Sequence, residues 1–226
     1  MKILLSWSSG KDSAWTLYKL RQDPQAEVVG LLTTFNDAVD RVAMHAVRRS
    51  LVNAQAAATD LPLWSVPLPW PCTNEQYEGL MTEVLERAKR EDITHVAFGD
   101  LFLGDVRDYR IRQLEGTGIE PLFPIWGGPG DTKKLAREMQ SAGLRAVLTC
   151  VDPRQLDPSF VGREFDASLL SDLPEHVDPC GEQGEFHTFC YAGPMFSSDI
   201  KVRAGELVAK DEFNFIDLLP ADNATI

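Results

Sequence analysis

Short apolar runs alternate with amphipathic segments through the first half of the chain. The runs at 2–7, 27–35, 63–68 and 95–98 are rich in Val, Ile, Leu and Phe and predict buried strands, and a fifth strand is expected at 121–126. The segments between these runs are long enough for helices of ten or more residues. Strands separated by such helices predict right-handed βαβ crossovers and therefore a parallel sheet.

Helical spacing is visible in four of the intervening segments. Helices are predicted over 11–21, 42–59 and 106–114. The clearest helix follows Thr73, which has capping-box spacing with Gln76. Its apolar face comprises Tyr77, Leu80, Met81, Val84, Leu85 and Ala88.

The second half of the chain has a different pattern. The glycine-rich segment 127–130 is the best candidate for a linker. A helix that Gly143 closes and an apolar strand at 144–151 follow it. The remainder is richer in Pro, Asp and Phe and has little periodicity. We therefore expect two domains, 1–127 and 128–226.

Charge and cysteine content narrow the range of functions. The 226 residues include 22 Lys and Arg against 34 Asp and Glu, a net charge of −12. This balance argues against broad nucleic-acid binding and against docking on an anionic membrane. No apolar run approaches the ~20 residues of a membrane span, no signal peptide is visible, and the four cysteines form no C-x-x-C pair. We expect a reduced, cytoplasmic protein.

A polar loop follows the first predicted strand and opens the first predicted helix. Helix N-termini carry unpaired N–H groups and partial positive charge, which suit an anion. Hydroxyls, a glycine and a lysine at this point predict a phosphate cradle made of Ser8, Ser9, Gly10, Lys11, Asp12 and Ser13. The loop lacks the Walker A pattern, because Leu5 and Asp12 stand where that motif needs Gly and Ser or Thr. The alternative is a plain serine-rich turn.

Further polar residues come at the ends of the second and fourth strands, where ligands of parallel sheets bind. Thr33 and Thr34 could contact a bound ligand there, and Gly99 and Asp100 could face the same ligand. The alternative for the Gly-Asp pair is a simple turn.

Arginines on the helix after the fourth strand offer a binding site for an anion. Arg107 and Arg110 lie three residues apart and share a helix face, so together they could clamp a carboxylate or phosphate. Solvated helix charges are the alternative. Trp64, Trp70 and Trp126 lie in Pro-rich stretches, and we interpret them as packing residues.

A second dense motif spans residues 178–189. Glu182, Glu185 and His187 lie among glycines that permit tight turns, so the three side chains could converge to position an amine or move a proton. The alternative is a surface loop with a structural histidine. A zinc site is also open, since the right ligand types occur at His176, Cys180, His187 and Cys190, although their spacing matches no finger signature.

The N-terminal loop resembles the S-G-G-x-D-S loop of N-type ATP pyrophosphatases, with Ser9 in place of a glycine. The resemblance implies that residues 8–13 hold the β and γ phosphates of ATP and that cleavage at the α phosphate releases pyrophosphate. Thr33 and Thr34 could then contact the adenosine, and Gly99 and Asp100 could face the same ATP. Lys11 would stabilise developing charge, and Asp12 would help to hold Mg²⁺. The implied fold is α/β: a five-stranded parallel sheet of the adenine-nucleotide alpha hydrolase type, with strand order 3-2-1-4-5, and a second, smaller α+β domain.

The C-terminal motif resembles P-C-G-E-x-G-E-[FY]-E-T of the diphthine–ammonia ligase, or diphthamide synthase domain, family. The likeness covers nearly the whole chain and includes Met44-His45, Gln55-Ala56 and residues 193–196. Archaeal and eukaryotic ligases carry Glu at the position of His187, and the E-F-H-T form resembles a bacterial branch. The reaction type therefore transfers more safely than diphthine as the substrate.

This resemblance implies an ATP-dependent, AMP-forming acid–ammonia ligase. It would adenylate an acceptor carboxylate and transfer ammonia to form an amide, with Lys11, Asp12, Glu182, Glu185 and His187 as catalytic residues. The acceptor would contact Arg107, Arg110, Cys180, Gly181 and Gly184. Two alternatives stay open: an ATP-binding sensor related to universal stress proteins, and a tRNA-modifying ligase with the same loop. The acceptor and the oligomeric state, including a homodimer, are left open.

Overall fold

The computed structural model describes residues 1–42, 46–210 and 212–221, so the Met44-His45 segment lies outside the described residues. Strands and helices alternate along the first half, and the last three strands follow one another without a helix between them. The elements are β1 (Lys2–Ser6), α1 (Lys11–Leu20), β2 (Glu27–Asn36), β3 (Arg41–Val42), α2 (Arg49–Thr59), β4 (Leu63–Leu68), α3 (Asn74–Arg90), β5 (His95–Ala97), α4 (Gly104–Leu114), β6 (Glu120–Leu122), α5 (Thr132–Ser141), β7 (Arg145–Val151), a 3₁₀ turn (Pro158–Phe160), α6 (Ala167–Asp172), β8 (Phe186–Ala192), β9 (Val202–Lys210) and β10 (Phe213–Pro220).

The first sheet contains the five predicted parallel strands. They lie in the order β4-β2-β1-β5-β6, which confirms the expected order 3-2-1-4-5. The short strand β3 pairs antiparallel with the end of β2 and makes the sheet six-stranded. Parallel strands end at one edge of the sheet, so the segments after β1 and β5 lie side by side.

Both faces of this sheet are covered, as the apolar strands predict. Successive side chains of β1 point to opposite faces. Ile3 and Leu5 belong to a core that includes residues of α1 and α2, whereas Leu4 belongs to a smaller core with Leu85 of α3 and Leu114 of α4.

The second half forms an antiparallel sheet with strand order β8-β7-β10-β9. Together with α5 and α6 it gives the expected α+β half. Its buried residues, including Phe189 and Leu218, join the same core as Ile3 and Leu5. The two halves are therefore packed together, and the domain division at 127/128, which lies between β6 and α5, stays a prediction.

Two elements differ from the prediction by more than two residues at one end. The helix expected from residue 42 begins at Arg49, because Val42 pairs with Phe35 and the backbone of Ala46 is left-handed, at φ 55°. The strand expected at 121–126 ends at Leu122. Its continuation is a turn in which the Trp126 N–H donates to the Phe123 carbonyl.

The capping box of α3 is confirmed, since Thr73 and Gln76 each accept a hydrogen bond from the backbone N–H of the other. Trp64 packs in the core, but the packing interpretation is wrong for Trp70, which is 70% exposed. Its neighbour Cys72 and the three buried cysteines are all free thiols.

Membrane insertion finds no support in the helices. Among the residues that the structure describes, none of them combines the length and the apolar character that a bilayer span needs.

Candidate active site

The loop after β1 has the geometry of an anion cradle. Gly10 is the N-cap of α1, so the N–H groups that a helix leaves without partners inside the helix lie at the loop. The Ser8 and Ser13 hydroxyl oxygens lie 3.2 Å apart, and the Gly10 N–H donates to Ser8 Oγ at 3.4 Å. Ser9 adopts a left-handed conformation, at φ 71°, that glycine adopts more easily. Its buried hydroxyl has no hydrogen-bond partner among the described residues.

Strand β8 of the second sheet supports this loop. The Cys190 N–H donates to the Ser9 carbonyl at 2.9 Å, and the Lys11 N–H donates to Thr188 Oγ1 at 3.1 Å. A Cβ atom at Gly10 would lie 3.2 Å from the Thr188 carbonyl oxygen. This close approach explains the glycine at position 10, and it means that the loop is built from both halves of the chain.

Lys11 links the loop to the acidic motif. Its ammonium is buried, lies 2.8 and 3.0 Å from the two carboxylate oxygens of Asp12, and also donates to the Cys180 carbonyl. Burial by itself lowers the pKa of Lys11, but the charge of Asp12 and the other acidic neighbours raise that pKa above its ordinary value. Lys11 is therefore a charged bridge between the loop and Cys180.

Glu182 faces the loop from the acidic motif. Its Oε1 accepts a hydrogen bond of 2.7 Å from the Leu101 N–H, next to the end of β5. Burial raises the pKa of Glu182 to about 7, and the negative charges of Asp12 and Asp100 add to that rise. The carboxyl is therefore divided between its two protonation states near neutral pH.

Glu185 is only 1% exposed and is used within its own loop. Its Oε1 accepts from the Asp178 N–H at 2.8 Å, and its Oε2 accepts from the Gln183 N–H at 2.9 Å. Gly181 turns the same loop with φ 69°, and a Cβ there would lie 2.8 Å from the Phe186 carbonyl oxygen. The Glu185 carboxylate thus braces the loop that presents Glu182.

His187 lies on β8 beside these groups. Burial, together with the charge of Lys11, lowers the pKa of His187 to about 4. The imidazole is therefore neutral at neutral pH.

These groups line one cleft of about 230 Å³ at the carboxyl edge of the parallel sheet. The predicted site residues that it brings together are Ser8, Lys11, Asp12, Ser13, Gly99, Asp100, Arg110, Cys180, Gly181, Glu182, Gly184 and His187. The lining also includes four residues that were not predicted from the sequence: Ser6, Phe98, Phe186 and Thr188. Each of them lies within two residues of a predicted site residue, and this closeness in sequence was the signal that could have identified them.

Other predicted residues lie elsewhere. The Thr33 hydroxyl donates to the Trp7 carbonyl at 2.7 Å, and Thr34 pairs with Val66 inside the sheet. Neither threonine lines the cleft. Ser9 and Gly10 form the turn behind the residues that line the cleft. Glu185 does not line the cleft either, and its carboxylate holds the acidic loop in place.

The side chains of the two arginines of α4 have different surroundings. Arg110 lines the cleft, with its Nε 3.5 Å from Asp100 Oδ2 and its guanidinium 4.9 Å from the centre of the Phe98 ring. Arg107 does not line the cleft; it stacks instead on Phe123 and Trp126, at 5.2 and 4.8 Å.

The zinc alternative gains no support from the geometry. Across residues 1–42, 46–210 and 212–221, no group of three or more His, Cys, Asp or Glu side chains is placed to hold a metal ion. The Cys180 thiol donates to the Thr132 carbonyl, and the Cys190 thiol donates to the Ala192 carbonyl.

A parallel α/β sheet whose first loop lies at a helix N-terminus and whose carboxyl edge meets a buried acidic loop is consistent with the pyrophosphatase-loop class of folds. Comparison with known proteins agrees. Residues 1–115 match the family described as the diphthamide synthase N-terminal domain, and residues 131–219 match the diphthamide synthase C-terminal domain. The chain belongs to the diphthamide synthase family.

Relatives named diphthine–ammonia ligase align over most of the chain. The one from Bos taurus is 26% identical over 234 residues, and the one from Homo sapiens is 25% identical over 236 residues; both alignments cover 92% of this chain and 85% of the relative. The relative from Danio rerio is 26% identical, with 95% of this chain and 91% of the relative covered. The family is thus an enzyme family whose named relatives are carbon–nitrogen ligases.

Proposed function

We propose that the protein is an ATP-dependent amide ligase that activates an acceptor carboxylate as an acyl adenylate, releases pyrophosphate and transfers ammonia. One observation carries this proposal: the anion-binding loop and the acidic motif line a common cleft, and the buried ammonium of Lys11 joins them. The named activity of the relatives agrees with this reaction. A cytoplasmic location stays a prediction, and the oligomeric state stays open.

The cleft is chemically suited to a triphosphate. The hydroxyls of Ser8 and Ser13 and the N-terminus of α1 would bind phosphate oxygens. The buried Ser9 hydroxyl, which has no partner among the described residues, leaves a donor unused in this loop. Asp12, with its partly exposed carboxylate, would hold Mg²⁺ together with phosphate oxygens, and the ion would neutralise phosphate charge.

Arg110 is the best candidate to bind the acceptor carboxylate. Phe98 holds its guanidinium plane, and the 3.5 Å contact with Asp100 is too long for a strong hydrogen bond. Cys180, Gly181 and Gly184 would form the wall beside the acceptor. Arg107, which stacks outside this lining, would support the acceptor site from behind.

The reaction then proceeds in two displacements. A carboxylate oxygen of the acceptor attacks the α phosphorus, and the bond to pyrophosphate breaks. The nitrogen of ammonia attacks the acyl carbon, AMP leaves, and the Glu182 carboxylate accepts the proton that the nitrogen loses. A base with a pKa of about 7 suits this step at neutral pH. His187 would orient the amine through its neutral ring, and Glu185 would keep Glu182 in place.

The test is an incubation with ATP, Mg²⁺, ammonium and a panel of carboxylic acids that includes diphthine. The proposal expects AMP and pyrophosphate in equal amounts with an amide product. ADP and phosphate would overturn it, and ATP binding without turnover on any acid would favour the sensor alternative.

A matched pair of variants sharpens the test. Glu182→Gln keeps an oxygen for the Leu101 N–H and loses the proton acceptor, so it should bind ATP normally and form amide at least about a hundred-fold more slowly. Glu83→Gln, at an exposed position of α3, should behave as the unaltered protein.

A further inference from the structure

A buried glutamine on α2 contacts the loop of residues 8–13, here called the phosphate loop, on the side away from the cleft. Gln55 is fully buried, and its amide makes three hydrogen bonds. Its Oε1 accepts from Trp7 Nε1 at 2.8 Å, and its Nε2 donates to the carbonyls of Ser9 at 3.0 Å and of Cys190 at 2.6 Å. One side chain thus connects the end of β1, the phosphate loop and β8.

These contacts determine how the loop presents its amides. The Ser9 carbonyl accepts from both Gln55 Nε2 and the Cys190 N–H, so its direction is fixed by two donors. In a trans peptide the following N–H points the opposite way. Holding the Ser9 carbonyl on the Gln55 side therefore turns the Gly10 N–H to the other side, where it meets Ser8 Oγ at the cleft.

We infer that Gln55 is a positioning residue for phosphate binding: it holds the left-handed Ser9 peptide so that the loop amides and hydroxyls face the cleft. This inference rests on the proposed function in that the bound anion is the ATP phosphate chain. Gln55 does not itself line the cleft, so it would act through the loop that it contacts.

The decisive variant is Gln55→Leu, which keeps the volume and removes all three hydrogen bonds. Thr59→Val is the matched control, because Thr59 is equally buried on α2 and its hydroxyl donates only within the helix, to the Ala56 carbonyl. We expect the Kd of Mg-ATP, measured by calorimetry, to rise about ten- to a hundred-fold in Gln55→Leu. We expect less than about a two-fold change in Thr59→Val.

Gln55→Glu adds a signature that a merely structural role would not give. An ionised carboxylate would face the carbonyls of Ser9 and Cys190, whereas a protonated one can donate to one of them. Affinity for Mg-ATP, relative to the unaltered protein at the same pH, should therefore recover as pH falls in Gln55→Glu and stay constant in Gln55→Leu.

Hydrogen exchange without nucleotide separates this inference from the proposed function. Amides of residues 8–13 should exchange at least about ten-fold faster in Gln55→Leu than in Thr59→Val. If the unaltered protein binds no Mg-ATP, the proposed function fails and the exchange experiment alone decides the role of Gln55. Equal exchange in the two variants, or unchanged ATP affinity in Gln55→Leu, would overturn the inference.

Discussion

Replacing Glu182 with glutamine should make the folded protein more stable in neutral and alkaline solution. The Glu182 carboxyl has a pKa of about 7 in the fold, against 4.5 for an unburied side chain, because burial disfavours its charged form. Between these values the folded state holds a proton that the unfolded state releases. The free energy of unfolding therefore falls as pH rises from 4.5 and levels off above 7.

The two pKa values set an upper limit of about 3 kcal/mol for this loss. Because part of the side chain reaches solvent, about 1–2 kcal/mol is the expected size. Glu182→Gln removes the ionisation and keeps an acceptor for the Leu101 N–H. The variant should match the unaltered protein near pH 4.5 and exceed it by about 1–2 kcal/mol at pH 8.

Urea unfolding at pH steps from 4.5 to 8, followed by circular dichroism, measures this difference. Glu185→Gln is the comparison, since both oxygens of Glu185 accept backbone N–H groups and the new amide group would oppose one of them. That variant should lose about 1–3 kcal/mol at every pH. If the free energy of unfolding depended on pH in the same way for Glu182→Gln and for the unaltered protein, the interpretation of Glu182 as a buried carboxyl that holds a proton would be refuted.

Three further predictions concern other parts of the fold, each measured as a change in the free energy of urea unfolding. Ser9→Gly should stabilise the protein by up to about 1 kcal/mol, since relief of the left-handed conformation exceeds the added chain entropy; a loss would contradict this. Thr73→Ala should cost about 1 kcal/mol by removing the capping box of α3, and Thr73→Ser should restore it. Arg41 and Arg48 hold the pKa of Asp217 at about 2, so their pairing with it contributes about 1 kcal/mol above pH 4 that is lost as pH falls towards 2. Asp217→Asn should abolish that pH-dependent contribution to the free energy of unfolding. An unchanged loss of stability between pH 4 and pH 2 in this variant would count against the pairing.

The parallel half of the fold could be predicted from sequence because its central strands are buried on both faces. Such strands contain continuous apolar runs, as at Ile3, Leu4 and Leu5 of β1, which are all fully buried. The antiparallel half gives a weaker signal. Most positions of β9 (Val202–Lys210) are exposed, so its sequence has no apolar alternation that would indicate a strand.

The site could be predicted to the level of its two motifs. The roles within them depend on contacts between distant segments, which no local pattern shows. Glu185 proves to be a brace because Asp178 and Gln183 fold back onto it. Gln55 carried two signals: it belongs to the Gln55-Ala56 pair of the family resemblance, and it lies four residues after Leu51, so a polar side chain occupies the apolar stripe of its helix.

The hydrogen bonds between the phosphate loop and β8 have a consequence for biosynthesis. Ser9 and Lys11 leave the ribosome well before their hydrogen-bond partners, Cys190 and Thr188, which lie about 180 residues later in the chain. The candidate site of a nascent chain therefore stays unfinished until β8 has been synthesised. A chain that stops before β8 would carry the whole parallel sheet and still lack a competent loop.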